Sequence, residues 1–519
     1  MQNLRTRRLV SGTAWGYILF TSVILYGLGS VPLALAHLSL AEFGLWAITQ
    51  QIVGVLILLD LGFSSSFARI LIDRAGDTSS RQYGEVIKAA STVMALQGLA
   101  VGLAGLLASF FLPTFLNVEP QLKTDFFWLL AGQSAVVGIG FFTKVYSQVL
   151  YAHHRIDIES GIGTAGFLVQ LSVLWVSFLS GAGVLSSLTA AAAALVATTV
   201  ARLAACKALK LMPVVPSGKT DYSLVRQMFG FGANLFSISL GNALVMSTQA
   251  IILAKFVGLA EAAVWSTCAR PLSILVPLIW RPFDSSYTLL SEMVVRFEFQ
   301  LLAKWFRSLY RLTLALSLLA ALIFALGNSA FVSIWAGGRI FWSDWNNILL
   351  AAWIPLLSAS HCRCWLIQAT KQLQWLPFVV LAEGVFFVLS SSLVGYRYGF
   401  TGIIVCSLIA SLLFTVPYTR RRERSFFAET LHEERGAVWT PLLLPGLTAG
   451  ALGMLSIAAS WRADSALWSL IFRAPFVLLA AGILIKAAAD KSMMEKILAL
   501  KPSMLKKSML FLFGARSHS

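Results

Sequence analysis

Leu40-Ala41-Glu42-Phe43-Gly44-Leu45-Trp46 returns 219 residues later as Leu259-Ala260-Glu261-Ala262-Ala263-Val264-Trp265. A second match follows nearly in phase, Phe63-Ser64-Ser65-Ser66 against Phe283-Asp284-Ser285-Ser286. Both copies sit at the start of long apolar stretches. The chain has 519 residues, 58% hydrophobic and only 12% charged, where a soluble domain carries about 25% charged residues. A spanning helix takes about 20 mostly apolar residues, and such segments fill most of the chain. The sequence therefore describes an all-α polytopic membrane protein with two related halves.

Hydropathy places about fourteen transmembrane helices, near residues 12–36, 44–66, 86–112, 126–151, 163–180, 184–206, 230–254, 262–290, 306–335, 346–370, 376–396, 399–418, 440–460 and 466–488. The first is too long for a signal peptide and lacks a small-residue cleavage site, so it is expected to remain as a span. The net charge of +17 follows topology. Odd connections hold only Lys123, Lys255, Arg339, Arg397 and Arg462, whereas even connections and both ends are rich in Lys and Arg, as at Arg420, Arg421, Arg422 and Arg424. This positive-inside pattern puts both termini in the cytoplasm and the basic excess against membrane lipids. Nucleic acid is not an expected partner, because no domain is present to bind it.

Two polar connections divide the chain. Residues 1–206 read as an N-terminal six-helix lobe, 207–228 as a cytoplasmic linker and 229–418 as a second six-helix lobe. Residues 419–438 read as a charged cytoplasmic linker, and 439–519 as two extra helices with a basic cytoplasmic tail. Six is even, so the halves are parallel repeats about an axis along the membrane normal, a plan found in transporters whose site lies at the midplane between repeats.

Charge at membrane depth costs at least about 2.5–3.5 kcal/mol and faces an interior cavity as a rule. In span eight Arg270 and Arg281 lie eleven residues apart, three helical turns, and share a face near Pro277. Asp284 is one turn from Arg281 and in reach of pairing with it. Span four carries Gln133, Lys144, Gln148 and Tyr151 on one face, and Arg363 follows Lys144 by 219 residues, giving each half a cation at equivalent depth. His361 and Gln368 lie beside Arg363; a lone histidine there reads first as a packing residue and second as a proton relay. Asp60 ends span two as a cap or as an acceptor for Arg69, and Glu383 is either a coupling carboxylate or a partner of Arg363 or Lys144. Asp60, Asp284 and Glu383 are thus the ion-coupling candidates. Span seven holds Asn234, Ser237, Asn242, Thr248 and Gln249, which serve either hydroxylated ligands or helix packing. Trp15, Tyr17 and Tyr26 offer rings for a sugar or for packing.

Enzyme signatures are missing. Ser217-Gly218-Lys219-Thr220 imitates the end of a phosphate-binding loop, but Pro213 stands at the first glycine and no strand precedes it. Cys206, Cys268, Cys362, Cys364 and Cys406 have no metal-binding spacing. No cofactor, metal or catalytic residue is expected, and the short external loops leave no room for a glycan ligase or polymerase domain.

The segment Ala41 to Trp46, followed by Leu58-Leu59-Asp60-Leu61-Gly62-Phe63-Ser64-Ser65-Ser66 and Arg69, resembles the start of Wzx-type polysaccharide flippases. Their superfamily also holds lipid II flippases and multidrug and toxin extrusion antiporters. The resemblance covers about the first 160 residues and extends to span count and repeat layout beyond them. It implies two V-shaped six-helix lobes in a bacterial inner membrane. These would flip an undecaprenyl-diphosphate-linked oligosaccharide, a repeat unit of O-antigen, capsule or exopolysaccharide, by alternating access. In that reading Lys144, Arg270, Arg363 and Arg281 bind the diphosphate and Asn242 and Gln249 the sugar. A proton or sodium ion drives the cycle, and polymerase and chain-length proteins are candidate partners. Span one has no Arg or Lys and span two only Asp60, a departure from the lipid II branch. A cation-coupled multidrug exporter is the rival; it calls for an acidic cavity, whereas bases outnumber acids at depth here.

Overall fold

A computed structural model describes residues 2–61, 63–74, 78, 80–213, 236–370, 373–431, 440–459 and 466–488. Asn234, Ser217 to Thr220 and the basic tail lie outside the described residues, as does the side chain of Arg69.

Every regular element described is a helix. The first seven are α1 (Gln2–His37), α2 (Leu40–Leu56), α3 (Phe63–Arg74), α4 (Arg81–Phe115), α5 (Lys123–Ala152), α6 (Ile156–Leu179) and α7 (Ser186–Ala208). There follow α8 (Phe236–Met246), α9 (Gln249–Phe256), α10 (Leu259–Cys268), α11 (Arg270–Ser285) and α12 (Tyr287–Val295). The series ends with α13 (Phe299–Trp335), α14 (Asp344–Ala369), α15 (Leu376–Leu413), α16 (Thr415–Leu431), α17 (Thr440–Ala459) and α18 (Ala466–Ala488).

Ten helices among the described residues are long and apolar enough to cross a membrane, eleven if the bent pair α8–α9 is one span. Two shorter apolar segments, Leu444–Ser456 and Trp468–Leu484, match the last two expected spans. The stretch Leu376–Thr430 passes as a single span of 55 residues, but Gly399 interrupts it at φ 51° and ψ −131°. A residue with a Cβ avoids that conformation, so the glycine separates the eleventh and twelfth expected spans.

The membrane reading is carried by the helix faces. On α4 the outward residues Leu96, Leu99, Leu103, Leu107 and Phe110 are all more than half exposed. Its inward face carries Gly98, Gly105 and Ser109 among larger residues, and a Cβ on Gly98 would collide with the Gly138 carbonyl of α5. Apolar side chains outside and small ones at the helix contact suit lipid as the surrounding solvent.

The chain forms two compact units. The first comprises residues 1–274, 331–349 and 373–418, and the second 275–330, 350–372 and 419–519. Both copies of the repeated heptapeptide belong to the first. Each opens a helix, at Leu40 and at Leu259. Its glutamate is an N-terminal cap residue: Glu42 Oε2 accepts from the Ser39 amide at 2.8 Å while Ser39 Oγ accepts from the Glu42 amide at 3.2 Å. The second copy has Gly258, at φ 153°, in place of the serine of this capping box, and no side-chain cap hydrogen bond. The two copies also touch, since a Cβ on Gly44 would run into the Leu259 carbonyl.

Candidate functional site

In the first unit Arg270 opens α11 with an exposed side chain. Its guanidinium lies over Gly27 of α1: a Cβ added there would be 3.2 Å from Nη2 and 3.5 Å from Nε. Tyr26 is in electrostatic reach, and its ring packs on Phe167 at 5.7 Å. No carboxylate pairs with Arg270 among the described residues. Gly27 is the residue that sequence reasoning missed here. A glycine in an apolar helix next to an aromatic was its signal, with Gly29 two residues on, since glycine in a helix interior is disfavoured unless something approaches closely.

Lys144 has a partner. Its Nζ is 3.1 Å from Asp60 Oδ1. Asp60 ends a single 3-10 turn, Ile57–Asp60, after which Leu61 takes φ 51°. Asp60 then caps α3, its two oxygens accepting from Ser64 Oγ at 2.5 Å and the Ser64 amide at 3.3 Å. Gln97 of α4 closes the break, donating Nε2–H to the Leu59 and Asp60 carbonyls at 3.1 and 3.0 Å. Asp60 thus caps the start of α3 rather than the end of the second expected span, and its cation is Lys144. These two candidates therefore neutralise each other across 84 positions of sequence.

Glu383 on α15 is 7% exposed. It accepts from Ser411 Oγ at 2.7 Å and from Thr415 Oγ1. Neither Arg363 nor Lys144 pairs with it, because Arg363 pairs with Glu423 and Lys144 with Asp60. Gln249 is buried at 5% with its Nε2 lacking a hydrogen-bond partner among the described residues, whereas Asn242 is exposed. Gln249 stands where the seventh span bends by 42°, and there Gln51 Oε1 of α2 accepts from the freed Ala250 amide at 3.1 Å. A further pair, not anticipated, locks α6 to α7: Arg202 donates Nε–H and Nη2–H to Glu159 at 2.7–3.1 Å.

In the second unit Arg363 of α14 is 3% exposed. Its Nε donates to Glu423 Oε2 at 2.7 Å, and its guanidinium lies 5.3 Å from the Tyr310 ring centroid. Glu423 comes from the segment that reads as a charged linker; through Leu431 that segment is helix α16, with Phe426 and Phe427 buried. Breaking this pair on one side leaves a poorly solvated charge. Arg363→Met is expected to destabilise the protein by about 2 kcal/mol, less than for a fully buried pair because Glu423 keeps some exposure. Arg363→Met/Glu423→Gln should recover most of that loss, as read by thermal unfolding of the detergent-purified protein. Arg281 is exposed on α11. Asp284 bonds to His361, Oδ1 to Nε2 at 2.8 Å, so the packing histidine and the coupling carboxylate of the sequence reading are one group.

Of the four candidate diphosphate cations, Lys144 and Arg363 are already compensated by carboxylates, while Arg270 presents its guanidinium without one among the described residues. The comparisons agree on architecture. The structure of the lipid II flippase MurJ in an inward closed conformation superposes with a TM-score of 0.69 at 13% identity, over 91% of this chain and 98% of that one. An inward-facing multidrug resistance MATE family transporter of the MOP superfamily gives 0.64 at 12% identity, over 77% and 94%. A MOP superfamily transporter from Pyrococcus furiosus, described by the reverse polarity of its binding pocket, gives 0.52 at 13% identity, over 81% and 96%. No family model and no curated protein matches the chain. At these identities the likeness shows a shared MurJ- and MATE-like fold.

Proposed function

We propose that this chain is a flippase of the bacterial inner membrane, with both termini cytoplasmic. It would carry an undecaprenyl-diphosphate-linked oligosaccharide across the bilayer by alternating access between two six-helix lobes. The observation that carries this reading is Arg270, an exposed guanidinium in an apolar helical protein with no described carboxylate partner. An uncompensated cation at such a depth is retained where an anion uses it, and a guanidinium fork fits the oxygens of a phosphate. The fold supports a membrane carrier, since a protein named as a lipid II flippase shares it over 91% of the chain.

Lys144 and Arg363 take a smaller part in this reading than their depth alone suggests, because both enter the cycle already paired. Asn242, exposed, is the better sugar contact of the two in span seven; Gln249 is buried at a bend. Lipid II as cargo is the second reading, favoured by the extent of the MurJ superposition. The test is glycan production in a host deleted for its O-antigen flippase, with a lipid II flippase-depleted host in parallel. Restored surface glycan in the first supports the proposal. Rescue of the second alone moves the cargo to lipid II, and resistance to cationic drugs without either rescue moves it to drug export.

A further inference from the structure

We propose that Asp284 and His361 form a proton-binding site in the second unit, and that this proton is the coupling ion of the transport reading above, on which the coupling role rests. Two helical turns face each other here. α11 offers Trp280 and Asp284, and α14 offers His361 and Trp365, each pair spaced i,i+4 and so on one face. The imidazole lies flat on the Trp280 indole, with ring centroids 3.8 Å apart and planes at 7°. Trp280 is held in turn by its Nε1–H, which donates to Ser358 Oγ at 3.1 Å.

The site's chemistry follows from one atom. His361 Nε2 is 2.8 Å from Asp284 Oδ1 and 2.9 Å from Trp365 Nε1. A ring nitrogen carries either a hydrogen or a lone pair. With a lone pair it accepts from the Trp365 N–H, a bond within α14. With a hydrogen it donates to the Asp284 carboxylate, a bond from α14 to α11. A neutral imidazole with its hydrogen on Nδ1 makes the first bond. One proton added to Nε2 makes the imidazolium, breaks the Trp365 bond and joins the two helices through Asp284. The same proton turns the stack on Trp280 into a cation–π contact, worth roughly 0.5–2 kcal/mol. The Asp284 side chain is 35% exposed and that of His361 20%, so the carboxylate is the more accessible end of the pair.

Charged and titratable groups flank the site. Arg363 of α14 is closed onto Glu423 of α16 at 2.7 Å, beside Tyr310 of α13. Cys362 is within electrostatic reach of Asp284 and of that pair. Arg281, on Asp284's own helix, is exposed. Starting from the Nδ1–H imidazole, a proton gained between Asp284 and His361 changes which helices are tied together, and that is the requirement for a coupling ion: differential binding to two conformations.

The experiment is a pH titration of tryptophan fluorescence on the full-length protein in phospholipid nanodiscs. Trp280→Phe is run beside it to isolate the emission that an imidazolium quenches. The expected difference curve has one single-proton step. His361→Phe, which keeps a ring on Trp280, and His361→Gln abolish it. In proteoliposomes, a fluorescent polyprenyl-diphosphate disaccharide serves as probe. His361→Gln should lose at least about tenfold of the accumulation driven by a pH gradient while still binding the probe. No step in the difference curve, or a step that survives both His361 variants, overturns the site. A step with unaltered gradient-driven accumulation in His361→Gln overturns the coupling role. A wild type that titrates but moves no probe in any gradient sinks the transport reading and the coupling role together, and leaves the proton site standing.

Discussion

Arg270→Ala reaches the membrane at the wild-type level and loses export, with lipid-linked precursor accumulating on the cytoplasmic side. The expected loss is roughly 30- to 100-fold in initial flipping rate. That figure corresponds to removing one charge-assisted pair of hydrogen bonds to a phosphate, about 2–3 kcal/mol. Folding should be spared, because the described structure gives the side chain no carboxylate to strand and no carbonyl to bond. Arg270→Lys keeps the charge without the planar fork and should recover part of the rate. Gly27→Ala is the sharper companion, since the new methyl would lie 3.2 Å from Nη2 and push the guanidinium off its seat by a few tenths of an ångström. Lys144→Met should behave in the opposite way. It strands Asp60, which caps α3, so it lowers thermal stability, and Asp60→Asn/Lys144→Met restores stability along with transport. The measurement is surface glycan and intracellular lipid-linked precursor in the complemented host, normalised to membrane protein level. Wild-type export by Arg270→Ala would remove the anion site and shift weight to the drug-export reading.

The parts of this protein governed by periodicity were legible in its sequence. Among the described residues ten or eleven helices are long and apolar enough to span, with two shorter apolar ones at the last two expected spans, and the repeated heptapeptide marks two equivalent helix starts. The broken span at Gly399 was legible as well, because Arg397 and a glycine interrupt the apolar run there. Partners were not. Lys144 meets Asp60 from 84 residues away and Arg363 meets Glu423 from 60. Helical spacing fixes which residues of one helix share a face, but the rotation of that helix against its neighbour comes from packing. Arg281 and Asp284 share a helix and were the natural pair, but helical spacing gave no sign that His361 of α14 also meets the carboxylate. Glu423 was hidden further by composition. Its run of arginines reads as a solvated linker, while Phe426 and Phe427 bury one side of the helix in the aromatic core around Phe306.

Gly44→Val should leave almost no folded protein. The first copy of the repeat packs its helix onto the start of the second, and the contact is backbone on backbone. A Cβ at Gly44 would overlap the Leu259 carbonyl, and no rotamer change relieves a clash with main chain. Relief requires α2 to retreat from α10, which also parts the buried side chains Phe43, Trp46, Ala263 and Cys268 of their shared core. Overpacking of this kind costs about 1–3 kcal/mol where side chains can yield and more where they cannot. The expectation is about 3 kcal/mol for Gly44→Ala and at least about 4 kcal/mol for Gly44→Val. The equivalent position in the second copy is Ala263, fully buried among side chains. Ala263→Gly should therefore cost only about 1 kcal/mol, mostly the helix penalty of glycine. Fluorescence-detected size exclusion of detergent extracts after a heating series measures all three. A wild-type profile for Gly44→Val would mean that α2 and α10 do not meet at Leu259. Equal losses at positions 44 and 263 would mean that the repeat is packed symmetrically, against the one-sided contact that makes glycine necessary in the first copy alone.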